Sequence, residues 1–328
     1  MKSLDFGRYA LASCVAATML AGCGGSQPVA PNFSQQGSQI TAVVEPSSVT
    51  PAYKVSGSLL YVANVDLDLT PLRVYDAKVN NSRPLATISK DIDNSLGACI
   101  DRDGTLYVTN APGSGSGWVS EYNLGETKPL RVITKGIGGP RYCAIDASGN
   151  LWVTNSSLDD IAEYVKGATK PYATITKGLT WPDGIAIDHA GNLYIGNLEP
   201  QSAPNIQVYP PGSKSPSRTI TEGVAVPNGI AVDAQGTLYV TNDTSPGSIE
   251  EYRSGESKPY QTITEQLSFP ADVVVGKNGW LYVANTGETS NEMKILEFLP
   301  HSGKPSSKKI TKGPFQPFGV AYYPPLLP

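Results

Sequence analysis

Histidine is almost missing from this chain: only His189 and His301 occur among 328 residues. That narrows the chemistry available, because an imidazole is the side chain best suited to move protons near neutral pH. Charge is also scarce. Asp, Glu, Lys and Arg make up 16% of the chain, and Lys+Arg 25 against Asp+Glu 29 leaves a net charge of -4. A nucleic-acid binder would normally carry a marked basic excess, so that partner class is set aside. The sequence holds no Gly-x-Ser-x-Gly elbow, phosphate loop or zinc-ligand cluster, and no apolar run long enough to span a membrane. Turn formers abound instead. Gly 33, Pro 27 and Tyr 17, with many Val, Ile and Thr, describe short strands joined by many turns. At 40% hydrophobic, the chain can bury one large core or two ordinary ones.

The N-terminus reads as an address. Lys2 and Arg8 flank the start of an apolar run of twelve at residues 9–20, the layout of a bacterial secretion signal. The run ends in Leu20-Ala21-Gly22-Cys23, which resembles the lipobox of bacterial lipoproteins. That resemblance implies cleavage before Cys23, a diacylglycerol on its thiol, and attachment to the membrane through acyl chains alone. Gly24 after the cysteine implies outer-membrane sorting in a two-membrane bacterium. The other reading is plain secretion with a free Cys23. Loss of residues 1–22 changes the charge to 23 minus 28, or -5. Residues 24–52 are rich in Gly, Ser, Gln and Pro and read as a flexible tether with a reach on the order of 30 Å. The expected organisation is a signal at 1–22, a lipidated Cys23 and tether at 23–52, and one domain at 53–328.

That domain is a repeat. Gly-x-Leu-Tyr-Val-x-Asn, or a close variant, recurs with its aromatic at Tyr61, Tyr107, Trp152, Tyr194, Tyr239 and Tyr282, spaced 46, 45, 42, 45 and 43 apart. Thr-Ile-Thr or a variant recurs around Ile88, Ile133, Ile175, Ile220, Ile263 and Ile310, spaced 42 to 47 apart. Each unit runs from P-x-G-I-A-V-D through G-x-L-Y-V-T-N and I-x-E-Y to K-P-x-x-T-I-T. Alternating apolar residues broken by Gly and Pro predict four antiparallel strands of about five residues, a to d from the inside outward. A lone four-stranded sheet cannot cover its own faces, whereas six packed radially can. The expected fold is all-β, a six-bladed β-propeller. Its first unit lacks strand a, and Pro317-Phe318-Gly319-Val320-Ala321-Tyr322-Tyr323 supplies one, so the C-terminal strand should close the ring.

The units resemble NHL repeats, and Tyr-Val-Thr-Asn is also typical of YVTN propellers. The resemblance covers residues 57–328 and implies a fold more than a function, because such propellers include scaffolds, ligand-binding modules, lactonases and lyases. Several conspicuous residues read as structural. Asn64, Asn110, Asn155, Asn197, Asn242 and Asn285 end every strand b, as a turn requires. Asp101, Asp146, Asp188 and Asp233 precede a two-residue spacer and Gly, as Asx turns do. Cys99 and Cys143 sit on strand a of consecutive blades, one repeat position out of phase. Alternation then turns them toward one inter-blade gap, either as a disulfide or as two buried thiols.

The d-to-a crossings and b–c loops share one face, where ligands of such folds approach the channel mouth. Leu96, Arg141, Asp183, Asn228, Ala271 and Phe318 should line it. Asp66, Asp68, Asp159, Asp160, Glu199, Asp243 and Glu288 add acidity, with Lys90, Lys135, Lys177 and Lys312 toward the rim. The turns of the other face hold Lys78, Arg83, Lys128, Lys166, Lys170, Lys214, Arg253, Lys258 and Lys304. Pro182-Asp183-Gly184-Ile185 and Pro227-Asn228-Gly229-Ile230 resemble segments of gluconolactonase-type propellers. That resemblance implies a divalent cation such as Ca²⁺ held by Asp183 and Asn228, although apolar or cationic residues occupy the other mouth positions. His189 and His301 fall on the opposite face, which removes a histidine base from the mouth. The expectation is therefore a lipid-anchored, monomeric envelope propeller that needs no cofactor. It would bind an envelope protein, a peptide or a glycan through Arg141, Asp183 and Asn228. Trp118 and Trp181 would either stack on that ligand or plug gaps between blades. The alternative is a metal-dependent lactonase-like hydrolase.

Overall fold

The computed structural model describes residues 51–55, 57–65, 71–113, 115–198, 203–314 and 316–326. The signal, Cys23 and the tether to residue 50 lie outside the described residues, as do Asp66, Asp68 and Glu199. Blade 1 contains β1 (Leu59–Asn64), β2 (Leu72–Asp76) and β3 (Ala86–Ile88). Blade 2 contains β4 (Ser95–Ile100), β5 (Leu106–Asn110), β6 (Trp118–Tyr122) and β7 (Arg131–Ile133). Blade 3 contains β8 (Pro140–Ile145), β9 (Leu151–Asn155), β10 (Asp160–Tyr164) and β11 (Ala173–Ile175). Blade 4 contains β12 (Pro182–Ile187), β13 (Leu193–Asn197), β14 (Asn205–Tyr209) and β15 (Arg218–Ile220). Blade 5 contains β16 (Pro227–Val232), β17 (Leu238–Asn242), β18 (Ser248–Tyr252) and β19 (Gln261–Ile263). Blade 6 contains β20 (Pro270–Val275), β21 (Leu281–Asn285), β22 (Lys294–Phe298) and β23 (Pro305–Ile310).

The last strand, β24 (Pro317–Tyr323), returns to blade 1 and pairs antiparallel with β1, from Leu59 opposite Tyr323 to Asn64 opposite Pro317. Six four-stranded antiparallel sheets result, and the ring closes through the C-terminal strand as the repeat count requires. β5, β13, β17 and β21 are buried at every position, because each sheet is covered on both faces by its neighbours. The outermost strands differ from expectation. In blades 1 to 5 they are three residues long rather than about five. Only their final Ile has a core to enter, and short edges leave little backbone free to pair with another chain.

The P-x-G segments are bulges. Pairing with strand b slips after Pro140, Pro182, Pro227 and Pro270, and after Ser95 in blade 2. The bulge turns the middle residue toward the channel and presses the next residue on the neighbouring blade. A Cβ at Gly97 would lie 2.7 Å from the Arg141 carbonyl oxygen, so glycine is dictated by the approach of two backbones. Strand-b threonines rivet the same joints. Thr109 Oγ1 accepts from Gly97 N at 2.8 Å and donates to the Arg141 carbonyl of the next blade at 2.6 Å. Thr154 repeats this between Tyr142 N, at 3.0 Å, and the Asp183 carbonyl, at 2.7 Å.

The strand-b asparagines are structural, but they hold the incoming crossing rather than a turn of their own. Asn110, Asn155, Asn197, Asn242 and Asn285 accept backbone N–H bonds from the incoming d-to-a crossing. Asp146, Asp188 and Asp233 each accept two backbone N–H groups of their own turn. Tyr53, buried beside the first blades, bonds Gly125 and Tyr61 and so fixes where the chain enters the propeller.

Cys99 and Cys143 are joined as a disulfide between blades 2 and 3, with Cα atoms 5.7 Å apart and a sequence separation of 44. A crosslink closing a loop of that size stabilises by roughly 2–4 kcal/mol, mainly by restricting the unfolded chain. A reductant should therefore lower the thermal midpoint of the wild-type protein. The same reductant should leave a Cys99→Ala/Cys143→Ala variant unmoved, which calorimetry would check.

Candidate functional site

The six bulges carry Leu96, Arg141, Asp183, Asn228, Ala271 and Phe318 to one end of the channel, and they arrange themselves in two halves. Arg141, Asp183 and Asn228 come from consecutive blades 3, 4 and 5. Ala271, Phe318 and Leu96 come from blades 6, 1 and 2, where they join one apolar cluster. The mouth is thus polar on one side and hydrocarbon on the other.

Arg141 grips Asp183 at two points, Nε to Oδ1 at 3.0 Å and Nη2 to Oδ2 at 2.9 Å. Asp183 is fully buried, while 21% of the Arg141 side chain remains exposed. Burial works against both charges; it raises the Asp183 pKa, an effect that Arg141 partly offsets. At Arg141 the carboxylate more than compensates for burial, so the guanidinium stays charged. Its Cζ lies 5.6 Å from the centre of the Phe318 ring, which carries the cation over the apolar half.

Asn228 donates through Nδ2 to Asp243 Oδ2 at 2.6 Å. Asp243, from the loop after β17, is pushed up to about 7, chiefly by burial and further by Asp183, while Arg141 pulls the other way. Its Oδ1 is buried without a hydrogen bond.

Two residues that decide the shape of the mouth stand where the repeat has glycine: Tyr142 in blade 3 and Asp272 in blade 6. These blades face each other across the ring. The Tyr142 hydroxyl donates to the Ala271 carbonyl at 3.1 Å, and its ring stacks on Phe318 with centroids 6.2 Å apart. The channel therefore does not open at this end, contrary to what a mouth lined only by the six bulge residues implies. Asp272 accepts from Val273 N and, in the next blade, from Val320 N, both at 2.8 Å. Burial pushes its pKa to about 8, with the two N–H bonds opposing. Reading the P-x-G segments for departures from glycine would have found both residues.

The two tryptophans part company. Trp118 is half-buried and donates its indole N–H to the Asp91 carbonyl at 3.0 Å, so it fills a seam. Trp181 is 46% exposed. Its backbone is left-handed at φ 49°, and its N–H is held by Asp159 Oδ1 at 2.6 Å. On the opposite face the lysines are less free than their number implies. Lys166 bridges Asp101 and Asp103, and Lys258 pairs with Glu222. His301 lies there too, its Nδ1 3.1 Å from the Tyr239 hydroxyl.

The residues do not fit a divalent cation. Both Asp183 oxygens are taken by a guanidinium, Asn228 is turned to Asp243, and the remaining positions are hydrocarbon. Among the described residues no three His, Cys, Asp or Glu groups converge as metal ligands.

Replacing Asp183 by Ala would leave Arg141 buried without its counter-charge, at an expected cost of about 3–5 kcal/mol. Arg141→Met with Asp183→Leu should regain most of that loss, as read from urea midpoints. Asp243 also makes stability fall as pH rises. Its carboxyl holds a proton in the folded protein up to about pH 7, whereas the unfolded chain loses it near pH 4. Stability from this group is complete below the unfolded value and declines across that window. Asp243→Asn should flatten the corresponding part of the pH profile.

No family model matches the chain, and neither does any curated protein. Solved structures do. A Bacteroides caccae protein of unknown function matches with a TM-score of 0.63 and 13% identity, over 81% of this chain and 99% of that one. A streptogramin B lyase matches with a TM-score of 0.53 and 16% identity, over 71% and 74%. The hydrazine synthase of Kuenenia stuttgartiensis gives 0.53 and 17%, over 70% and 67%. At these identities the likeness is one of fold: this chain is a six-bladed β-propeller whose neighbours serve varied ends.

Proposed function

We propose that this propeller is a non-catalytic binding module, attached to a bacterial cell envelope through lipid on Cys23. Its mouth would receive another envelope protein, a peptide or a glycan. The observation that carries the reading is the pairing of a displayed Trp181 with a mouth whose other polar groups, one oxygen of Asp243 excepted, are already spent. A catalytic site needs a group free to attack, to move a proton or to hold a metal. Here Asp183 serves Arg141, Asn228 serves Asp243, Tyr142 spans the channel, and the one unpaired oxygen, Asp243 Oδ1, is closed off from solvent. Of the mouth residues only Arg141 keeps appreciable exposure, 21% of its side chain. Beside it the exposed Trp181 is held at the rim by Asp159, which would give a partner a rigid cation and an aromatic face. Leu158, 50% exposed and adjacent in sequence to Asp159, extends that rim. The envelope assignment rests on the residues 9–20 and Leu20-Ala21-Gly22-Cys23 pattern, and radiolabelled fatty acid incorporated in wild type but not in Cys23→Ser would support it.

The lactonase-like alternative rests on Asp183 and Asn228 alone. Elemental analysis of the full chain in detergent should find no stoichiometric metal, and calcium or chelator should leave the thermal midpoint in place. A stoichiometric metal lost in Asp183→Asn would overturn the binding-module reading. Trp181→Gly should leave stability within about 1 kcal/mol of wild type, because glycine accepts a left-handed backbone without strain. The same variant should lose co-purifying envelope components, and retention of them would remove Trp181 from the binding surface.

A further inference from the structure

The seam between blades 6 and 1, on the face opposite the mouth, is built unlike the others. Where blades 2 to 5 begin their a–b turn with Asp101, Asp146, Asp188 and Asp233, blade 6 has Gly276. In blades 4 and 5 the strand-b tyrosine donates to that carboxylate, Tyr194 to Asp188 and Tyr239 to Asp233, each at 3.0 Å. Tyr282 has no such partner. Its hydroxyl accepts from the Asn278 amide at 3.4 Å, and its ring lies against Tyr322 of β24 with centroids 5.1 Å apart. Blade 1 adds no a–b turn of its own here, because β24 and β1 come from opposite ends of the domain.

The missing carboxylate and the missing turn leave a cavity of about 420 Å³, within the range of roughly 300–1,000 Å³ usual for small-molecule sites. Lys78, Lys277 and Lys308 line it, and among the described residues none of the three has an ion-pair partner. Trp280, half-buried, and the Tyr282–Tyr322 stack supply its aromatic wall. One acidic group also lines it: Glu297, 4% exposed, with no hydrogen bond among the described residues. Burial raises its pKa, and Lys308 acts in the opposite sense. The Glu297 carboxylate oxygens are not closed off from solvent, so they can accept a donor that enters the cavity.

Each part of the cavity asks for a different part of a ligand. Three unpaired ammonium groups call for an anion. Glu297 calls for a hydroxyl or ammonium donor beside that anion. The aromatic wall calls for a ring with an apolar face. Inorganic phosphate meets the first demand only, and a small amino acid meets the first two but leaves the wall uncovered. We propose that this seam is a binding site for an acidic sugar, a hexuronate either free or within a polysaccharide, held by Lys78, Lys277 and Lys308 at its carboxylate, by Glu297 at a ring hydroxyl and by the aromatic wall along its ring.

Titration calorimetry of the full chain in detergent would test this with D-glucuronate, a glucuronate-containing oligosaccharide, D-glucose and inorganic phosphate. D-glucuronate or the oligosaccharide should bind saturably, and glucose and phosphate at least tenfold more weakly. Tighter binding of the oligosaccharide would identify a polysaccharide as the source, and equal binding would identify the free sugar. Lys277→Ala with Lys308→Ala should weaken uronate binding at least tenfold without moving the thermal midpoint. Glu297→Met, which replaces an unpartnered buried acid by a thioether, should weaken it while the fold is kept. Absence of uronate binding, phosphate binding as tight as uronate, or uronate binding indifferent to the lysine pair would each overturn the proposal.

Discussion

Everything in this propeller depends on how closely six inner strands can meet around one axis. At each bulge the backbone of one blade lies against the backbone of the next, with room for a hydrogen atom and little else. Gly97, Gly184, Gly229 and Gly319 meet that demand in four blades. The strand-b threonines then convert proximity into hydrogen bonds, as Thr109 and Thr154 each tie their own inner strand to the following blade. Blade packing is thus specified by contacts that are short, polar and backbone-directed. The apolar clusters between blades supply most of the burial, yet they would tolerate a small rotation that these contacts do not.

The two exceptions to glycine show what the constraint permits. Tyr142 and Asp272 occupy blades on opposite sides of the ring, and each resolves the crowding differently. Tyr142 sends its side chain into the channel, where the opposite blade's Ala271 carbonyl and the Phe318 ring receive it. Asp272 instead uses its carboxyl group as the joint, accepting the Val320 N–H of the next blade. One closes the channel with hydrocarbon and a hydroxyl; the other places an acid in the wall. With Asp183 and Asp243 nearby and a single Arg141, full ionisation of the three carboxyls would be costly, which is why burial holds Asp243 and Asp272 partly protonated near neutral pH.

Much of this was legible in the sequence, for reasons that separate cleanly. Blade number and ring closure follow from a period written in Tyr61 to Tyr282 and from a lone strand at Pro317–Tyr323, since repetition reports geometry directly. The Asp turns follow for the same reason, whereas repetition marks the strand-b asparagines as structural without showing that they hold the incoming crossing. The Cys99–Cys143 bridge was reachable as one of two readings, because alternation fixes which way each cysteine faces but not the gap between blades. The blocked channel was not reachable that way. It depends on a side chain reaching from blade 3 to blade 6, and although the departure from glycine at residue 142 is visible in the sequence, the contact with residue 271 across the channel is not. Likewise Trp118 and Trp181 are alike in sequence, and only the Asp91 carbonyl beside one of them separates a wedge from a displayed ring.

The departures from six-fold symmetry are where function has room to reside. A symmetric mouth would offer any ligand six equivalent poses, and none would be preferred. Arg141, Asp183 and Asn228 on three consecutive blades, against Ala271, Phe318 and Leu96 on the other three, give the mouth one polar and one apolar side, so its six positions are not equivalent. The seam between blades 6 and 1 breaks symmetry again, at the one place where the ring is closed by strands from opposite ends of the domain. There Gly276 replaces a turn carboxylate, and among the described residues Lys78, Lys277 and Lys308 form no salt bridge like that of Lys166 with Asp101. Closing the ring with the C-terminal strand thus does more than protect an edge: it makes one seam chemically unlike the other five.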